Sequence, residues 1–301
     1  MFPTAGASFL SVAQDGSVWF AGADVGTIAV DGRLTLVASG INCSAPPVFR
    51  SDDALVCLSR FTTEDVLRVV RRNGQIETIS LGALVGARSL VPAPDGTILF
   101  IERNTGRIGR LTLDGVVTRT ELPQAIVPDI LAVASDGAVW FAAGPTLVRM
   151  TAEDSYDVFR DDALFERRHP GAGFSGLVAG SDGTLWLSIP TESRTSGYHR
   201  TGAIVAFTPD RSFHEELVTN SPTLLTAAPD GSVWFIQDVP PGFEPIHNPE
   251  LVHFVRQSEP RTFDVPHFWP VQVFALAVDS QNRPWLAMTD PIAGSRIAVL
   301  R

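Results

Sequence analysis

The sequence contains little cysteine and comparatively few basic residues. Its 301 residues include two cysteines, Cys43 and Cys57. Two cysteines are too few for a disulfide framework, so we expect two reduced thiols in a cytoplasmic protein. Lys and Arg number 23 against 33 Asp and Glu, which gives a formal net charge of −10. This charge argues against a nucleic-acid partner or an anionic membrane surface, because both attract clustered positive charge.

Long hydrophobic runs are also missing. No apolar run approaches the ~18 residues that a membrane-spanning helix needs, so we expect no membrane segment. Residues 1–6 lack the basic start and the apolar stretch of a signal peptide. Unless a leader has been removed, these features indicate a cytoplasmic protein, which we expect to be a monomer.

A unit of four short strands repeats along the chain, and Ser89–Leu122 is one complete copy. Its turn signals are Asp95-Gly96, the loop Asn104–Gly106 and Asp114-Gly115. Asp-Gly suits tight hairpins because glycine adopts positive φ without steric cost. The runs between these turns are short, apolar or alternating, and rich in β-favouring residues. The unit is therefore predicted to be an antiparallel four-stranded meander.

Seven copies of the first turn recur at intervals of 38 to 51 residues. They begin at Asp15, Asp53, Asp95, Asp136, Asp182, Asp230 and Gln281. Four residues after each start stand Trp19, Cys57, Leu99, Trp140, Trp186, Trp234 and Trp285, which we interpret as core between neighbouring units. Four-stranded repeats of this length are typical of propeller blades. We predict an all-β fold, a seven-bladed β-propeller formed by residues 1–301 as a single domain, with six blades as the alternative.

The ends of the chain complete one blade in this prediction. The last copy stops at its third strand, Arg296–Leu300, and lacks a fourth. Phe2–Ala5 is the free segment that can pair there and close the ring.

Loop length separates the two faces of the predicted propeller. The connections after strands one and three are uniformly tight. The long connections share the other face, which we call the long-loop face; they are Asp161–Gly176, Pro190–Gly202, Asp238–Glu250 and Asp264–Val271. Function usually lies on the long loops of a rigid scaffold, so we expect the site at the channel mouth on this face. The alternative is that these loops only plug the channel.

The third copy, DGTILFIERNTGRIGRLTLDG, and the motif DGxVWF at Asp15–Phe20, Asp136–Phe141 and Asp230–Phe235 resemble the virginiamycin B lyase family. The resemblance implies a seven-bladed propeller. It also implies lyases that open cyclic streptogramin depsipeptides by elimination, with Mg²⁺ and a His/Glu pair that begins strand one and ends strand two of one blade. Among the aligned positions of this sequence only Glu102 matches the glutamate, and Arg88 stands where the histidine would be.

Five polar residues occupy aligned positions that we expect around the channel mouth: Arg60, Arg88, Glu102, Asp129 and Gln237. One interpretation is a polar funnel that holds a carboxylate or a sugar, with Arg88 or Arg60 binding the anion. The other is a structural ion pair between Arg88 and Glu102 across one blade.

Histidines and aromatic residues give the remaining candidates. His169, His199, His247 and His267 fall on long loops, whereas His214 and His253 fall within strand patterns. None has the HxH or HExxH spacing of a zinc site. His267 is the preferred candidate base because Phe268 and Trp269 follow it. Rings also occur on the long loops at Phe165, Phe174, Tyr198 and Phe243, either as pocket walls or as anchors of the loops.

Two main functions remain open at this point. The first is a lyase acting on a cyclic peptide or lactone, with His267 and Glu102 as catalytic residues and Glu102 as a ligand of Mg²⁺. The second is a non-catalytic propeller that recognises a peptide, a glycan or a protein, and the missing His/Glu pair favours it. A lactonase-like metal hydrolase is a third possibility. The expected ligand-binding residues in either main case are Arg60, Arg88, Asp129, Tyr198, His199, Gln237, Phe268 and Trp269.

Overall fold

A computed structural model describes residues 2–3, 7–13, 15–29, 33–83, 85–123, 126–152, 155–190, 202–220, 222–237, 249–265, 272–290 and 294–300. They form seven antiparallel sheets of four strands each. The first strands of successive sheets lie side by side around a channel, so the sheets are the blades of a closed ring. The seven-bladed β-propeller predicted from the repeats is confirmed.

The first four blades contain sixteen strands. Blade one is β2 (Ala7–Val12), β3 (Val18–Gly22), β4 (Val25–Ile28) and β5 (Leu34–Ala38). Blade two is β6 (Val48–Phe49), β7 (Leu55–Arg60), β8 (Asp65–Val70) and β9 (Ile76–Gly82). Blade three is β10 (Ala87–Pro92), β11 (Ile98–Glu102), β12 (Arg107–Leu111) and β13 (Val117–Glu121). Blade four is β14 (Ile130–Val133), β15 (Val139–Ala143), β16 (Thr146–Ala152) and β17 (Ser155–Phe159).

The last three blades follow a short π-helix at Ala163–Arg168. Blade five is β18 (Gly176–Ala179), β19 (Leu185–Ile189), β20 (Gly202–Phe207) and β21 (Phe213–Thr219). Blade six is β22 (Thr223–Ala227), β23 (Val233–Gln237), β24 (Glu250–Phe254) and β25 (Arg261–Asp264). Blade seven is β26 (Gln272–Val278), β27 (Pro284–Asp290), β28 (Gly294–Val299) and β1 (Phe2–Pro3).

The ring closes through its two ends. Strand β1 pairs antiparallel with β28, so that Phe2 lies opposite Ile297 and Pro3 opposite Arg296. The N-terminal segment is therefore the outer strand of blade seven, as predicted. This pairing covers the outer edge of β28 and joins the two ends of the chain in one blade.

Each blade begins with a hairpin that the sequence itself specifies. In blade three Gly96 has a φ of +85°, which a residue with a side chain rarely adopts. The Asp95 carboxylate accepts hydrogen bonds from the Thr97 backbone N–H at 3.0 Å and from its hydroxyl at 2.6 Å. Similar Asp-to-Ser or Asp-to-Thr contacts recur in blades one, five and six. These contacts lie within each turn and help to set the register of strands one and two.

The hydrophobic core lies between neighbouring blades. The seven residues that follow the first turns are all buried, from fully enclosed Trp19 and Cys57 to Trp140, which is 9% exposed. Their predicted role as core is confirmed. The packing is close enough that a Cβ added at Gly109 would meet the Phe100 ring at 2.2 Å. Glycine at this position lets the two strands cover that ring.

Cys43 and Cys57 form a disulfide, so the prediction of two reduced thiols is wrong. Cys43 lies in the connection from blade one to blade two, and Cys57 lies in β7. An isolated bridge between Cys43 and Ser59 brings this connection alongside β7. The contact depends on how the connection crosses the blade, which the spacing of two cysteines does not reveal.

No helix among the described residues combines the length and apolarity needed to cross a membrane.

Candidate functional site

The long-loop face carries the candidate site at the channel mouth. The ends of the second strands and the starts of the first strands meet there. Three of the long loops lie mainly outside the described residues, at 191–201, 238–248 and 266–271.

Arg88 and Arg103 converge on one carboxylate. Asp129 Oδ1 lies 3.6 Å from Arg88 Nη1 and 3.4 Å from Arg103 Nη2. Arg88 belongs to β10, Arg103 follows β11, and Asp129 immediately precedes the inner strand of blade four. The three side chains are 34 to 46% exposed. One carboxylate therefore faces two partly solvated guanidinium groups across the boundary of blades three and four.

Arg60 lies at the neighbouring boundary, between blades two and three. Its Nε lies 3.1 Å from Asp65 Oδ1, and its Nη2 donates a hydrogen bond to the Ala87 carbonyl beside Arg88. Asp65 is fully buried, and its other oxygen accepts hydrogen bonds from the Gly86 and Ala87 backbone N–H groups. The aspartate thus links blade two to the start of blade three and holds Arg60, whose side chain is 51% exposed.

We call Arg60, Arg88 and Arg103 the arginine cluster. It contains three guanidinium groups and one accessible carboxylate, Asp129, because Asp65 is buried. Guanidinium groups bind carboxylates and phosphates through paired hydrogen bonds. The cluster is therefore a cationic site on a protein with a net charge of −10.

Glu102 does not face the channel mouth. Its carboxylate is fully buried, accepting a hydrogen bond from Arg119 Nε at 2.8 Å and one from the Thr105 hydroxyl at 3.1 Å. Arg119 also donates to the Leu81 carbonyl of blade two. Glu102 shares a strand face with Phe100, which packs in the core between blades two and three. The prediction that Glu102 faces the channel mouth is therefore wrong, because its side chain is buried between blades two and three.

The alternative ion pair between Arg88 and Glu102 is also wrong. Arg88 lies opposite Ile101, whereas Glu102 lies opposite Ala87. Successive side chains point to opposite faces of a strand, so Arg88 and Glu102 extend toward different neighbouring blades. Each has another partner, Asp129 for Arg88 and Arg119 for Glu102.

The ring positions of blades five and six are uncharged. Ser175 holds the ring position of blade five, and its hydroxyl oxygen lies 3.0 Å from that of Ser188 in β19. Gln237 accepts a hydrogen bond from the Thr219 hydroxyl and donates one to Glu250 at 2.8 Å. Gln237 thus lies at the aligned position as expected, but its amide is engaged at both ends.

The described loop histidine is structural. His169 is 5% exposed, and its Nε2 lies 2.9 Å from a Glu215 oxygen. His214 and His253 lie in β21 and β24, as predicted. His253 stacks on Trp234 with ring centroids 4.4 Å apart, and burial lowers its pKa against the opposing effect of Asp230.

Two rings of the long loop between blades four and five anchor that loop. Phe165 and Phe174 are buried and meet edge to face, with centroids 4.9 Å apart. They belong to the core around Leu187 and Phe207 rather than to an open pocket wall.

Several of the expected site residues lie outside the described residues. These are His267, Tyr198, His199, Phe268 and Trp269, together with His247 and Phe243. Their roles stay predictions.

Sequence reasoning missed Arg103 and Asp65. Arg103 stands one residue beyond an aligned ring position, and only the curl of the β11–β12 turn brings it to Asp129. Asp65 carried a usable signal, because it lies directly opposite Arg60 across a hairpin. Opposite charges at such positions are favourable cross-strand pairs.

The described residues do not fit Mg²⁺. They contain no group of three or more His, Cys, Asp or Glu side chains that could hold a metal ion. Glu102, the expected ligand, is enclosed and paired with Arg119. Magnesium prefers several accessible oxygen ligands and retained waters, which this carboxylate does not offer.

Comparisons with known proteins point to one family. A virginiamycin B lyase from Nocardia farcinica (strain IFM 10152) is 32% identical over 229 residues, covering 74% of this chain and 75% of the relative. No family model matches the sequence.

Solved structures agree on the fold. A catalytically inactive variant of Staphylococcus aureus virginiamycin B lyase with quinupristin has a TM-score of 0.73 at 19% identity, covering 100% of this chain and 98% of that one. The selenomethionine-substituted Staphylococcus aureus enzyme has a TM-score of 0.70 at 20% identity, covering 98% and 95%. With its seven-bladed architecture and this level of identity to a curated relative, the chain belongs to the virginiamycin B lyase family.

Proposed function

We propose that the channel mouth of this protein binds a peptide or other small molecule through an anionic group held by the arginine cluster. The observation that carries the proposal is the convergence of Arg88 and Arg103 on the accessible carboxylate of Asp129, with Arg60 held beside the neighbouring residue Ala87. A ligand carboxylate placed there would form charge-assisted hydrogen bonds with groups that are already positioned.

The residues at the aligned pair positions favour binding over the family's chemistry. No blade has a histidine at the start of strand one together with a glutamate at the end of strand two. In blade three, where the glutamate is kept, Arg88 replaces the histidine. Arginine is always charged near neutral pH and does not act as a general base there.

A lyase acting on a cyclic peptide or lactone is the second candidate, and family membership favours it. In this candidate His267 takes a proton from the carbon next to the one that is bonded to the ester oxygen. A double bond forms between these two carbons, and the bond from the second carbon to the ester oxygen breaks. The bond's electron pair leaves with the carboxylate. The arginine cluster suits the charge that develops on this leaving group.

The remaining expected residues belong to this second candidate. Tyr198, His199, Phe268, Trp269, Asp129 and Gln237 would have the ligand-binding roles expected from the sequence. A catalytic and Mg²⁺-binding role for Glu102 would require its carboxylate to leave Arg119, so we derive no step through the metal.

Calorimetric titration of a linear peptide acid and its C-terminal amide tests the binding proposal. We expect the amide to bind about tenfold more weakly, a difference of roughly 1.4 kcal/mol. Arg88→Ala should weaken binding of the acid by a similar factor. The matched control is Arg261→Ala, which removes an exposed arginine from the outer strand of blade six and should leave affinity unchanged. Equal affinity for acid and amide would contradict the proposal.

Chromatography coupled to mass spectrometry tests the lyase with quinupristin. Elimination opens the ring without changing its mass, so the product should differ in retention only. Hydrolysis adds one water to the mass and would indicate a lactonase-like reaction instead. Loss of turnover in His267→Ala, with binding retained, would support the lyase. Unconverted quinupristin would exclude this lyase activity. The binding proposal would then be decided by the calorimetric titration alone.

A further inference from the structure

The opposite face of the propeller, which carries the tight hairpins and which we call the short-turn face, contains a separate cavity. It lies between blades four and five and has a volume of about 290 Å³. Its lining includes Trp140 and Phe207 as apolar walls, Arg149 and Arg211 as cations, and Asp136 at one edge. We call it the blade 4–5 cleft. Its volume is close to the lower limit for small-molecule pockets.

Arg149 is weakly held in this cleft. It lies opposite Trp140 in the sheet, and its guanidinium stacks on the indole 5.6 Å from the ring centroid. Its Nη2 is 3.8 Å from Asp136, and its buried Nε has no hydrogen-bond partner among the described residues. A buried donor without a partner is costly, and an anion in the cleft would satisfy it.

The equivalent arginine of blade three has closer partners. Arg110 occupies the same position opposite Leu99. Its Nη1 lies 2.6 Å from Asp95 and also donates a hydrogen bond to the Thr97 hydroxyl. Blade four keeps the arginine and the aspartate but separates them by more than 1 Å further, which leaves Arg149 able to bind another acceptor.

Arg211 brings a second positive charge from blade five. It lies in the β20–β21 turn, has a φ of +66° and is 59% exposed. Its guanidinium lies over Phe159 at 5.8 Å and 3.9 Å from Asp157. Two guanidinium groups therefore border the cavity, and each has one long carboxylate contact.

We propose that the blade 4–5 cleft is a second ligand site, which binds a small aromatic carboxylate. The flat ring would lie against Trp140 and Phe207, and the carboxylate would bind between Arg149 and Arg211. Apolar walls with a few convergent charged groups are the usual composition of such a site. The site is on the face opposite the channel mouth and is independent of the function proposed there.

Fluorine NMR of the protein labelled with 5-fluorotryptophan tests this site with two probes, indole-3-acetate and its uncharged amide. The Trp140 resonance is assigned by its loss in Trp140→Phe. We expect a saturable shift of this resonance with the acid and at least tenfold weaker binding of the amide, because the amide cannot pair with two arginines.

Variants separate the site from nonspecific binding. Arg149→Met keeps an apolar side chain over Trp140 and should weaken acid binding at least tenfold, as should Arg211→Ala. Arg110→Met changes the equivalent arginine of blade three and should leave binding unchanged. Absence of a saturable Trp140 shift up to millimolar acid, equal binding of acid and amide, or full affinity in Arg149→Met would each overturn the proposal.

Discussion

Two blade interfaces on the short-turn face, between blades one and two and between blades four and five, have a tryptophan at the same position but differ in what covers it. Trp19 and Trp140 both stand four residues after an Asp-Gly turn. Between blades one and two, Arg72 covers Trp19 at 5.4 Å and reaches Asp53 at 2.6 Å and Asp15 at 3.0 Å. Between blades four and five, Arg211 lies in the equivalent turn of blade five, but its guanidinium is over Phe159 instead of the tryptophan. A cavity remains beside Trp140.

The difference shows how a repeated framework acquires individual sites. Five of the seven blades have the tryptophan, and six begin the first turn with an aspartate. The residue that the neighbouring blade places over the tryptophan varies. Arg72 pairs with the first turns of blades one and two, and it covers the tryptophan between them. Arg211 is displaced from its tryptophan, and a space large enough for a ligand remains there.

The largest expected contrast comes from removing the two tryptophans. Trp19 is fully enclosed, so Trp19→Ala should lower the free energy of unfolding by about 3–5 kcal/mol. Trp140→Ala should cost less, because its ring already borders an open cavity. Urea denaturation of both variants measures the difference. Equal losses would contradict the distinction between a closed and an open interface.

The disulfide should stabilise the interface between blades one and two and not the one between blades four and five. Cys57 packs in the same core cluster as Trp19, and its bond to Cys43 closes a chain segment with a sequence separation of 14. Reduction should lower the free energy of unfolding by about 3 kcal/mol. Thermal unfolding with and without a phosphine reductant tests this. Two free thiols titrated under non-reducing, denaturing conditions would show that the bond is absent. Because disulfides persist mainly in oxidising compartments, this bond does not support the cytoplasmic location expected from the sequence.

Arg72→Ala should open the interface between blades one and two at a smaller cost. Its pairs with Asp15 and Asp53 are partly exposed, so together with the stacking on Trp19 we expect a loss of about 1–2 kcal/mol.

This contribution should depend on pH. Burial raises the pKa of Asp15, but the hydrogen bonds from Ser17 and the charge of Arg72 outweigh that effect and lower it. A lowered carboxylate pKa gives stability that is present above the unfolded value near 4 and is lost as the pH falls through the folded value. The gap between wild type and Arg72→Ala should therefore narrow below about pH 4 in denaturation curves. A gap that stays constant into acid would contradict the ion-pair explanation.

Arg211→Ala should have the smallest effect. Its contact with Asp157 is 3.9 Å long and more than half of its side chain is exposed, so we expect a change within about 0.5 kcal/mol. The same denaturation measurement applies. A loss as large as that of Arg72→Ala would mean that Arg211 is structural, and would weaken the assignment of the blade 4–5 cleft as a ligand site.

Much of the fold could be predicted because its signals are short in range. The turn at Asp95-Gly96 is held by contacts within three residues, so its sequence signature is reliable. The pairing of β1 with β28 could be predicted by counting strands. The last blade lacked a fourth strand, and the N-terminal segment belonged to no other blade. These inferences needed only repetition, alternation and the need to pair strand edges.

The site was less predictable because it depends on side chains from different blades. Alternation along β11 placed Phe100 and Glu102 on one face, which could have directed Glu102 toward blade two. Its partner Arg119 and the approach of Arg103 to Asp129 depend on turns and on blade-to-blade placement. Aligned ring positions therefore placed Arg88 and Asp129 in one region, where their side chains meet, but misjudged where Glu102 extends.

The sequence alone determined the seven blades and their first turns, because these arise from interactions between residues close along the chain, and the repeated spacing of the tryptophans marked them as core. Only the tertiary structure decided the Cys43–Cys57 bond, the arginine cluster and the open cleft beside Trp140. These features join residues of different strands or blades, and a shift of about 1 Å in such a contact separates a closed ion pair from a group able to bind a ligand.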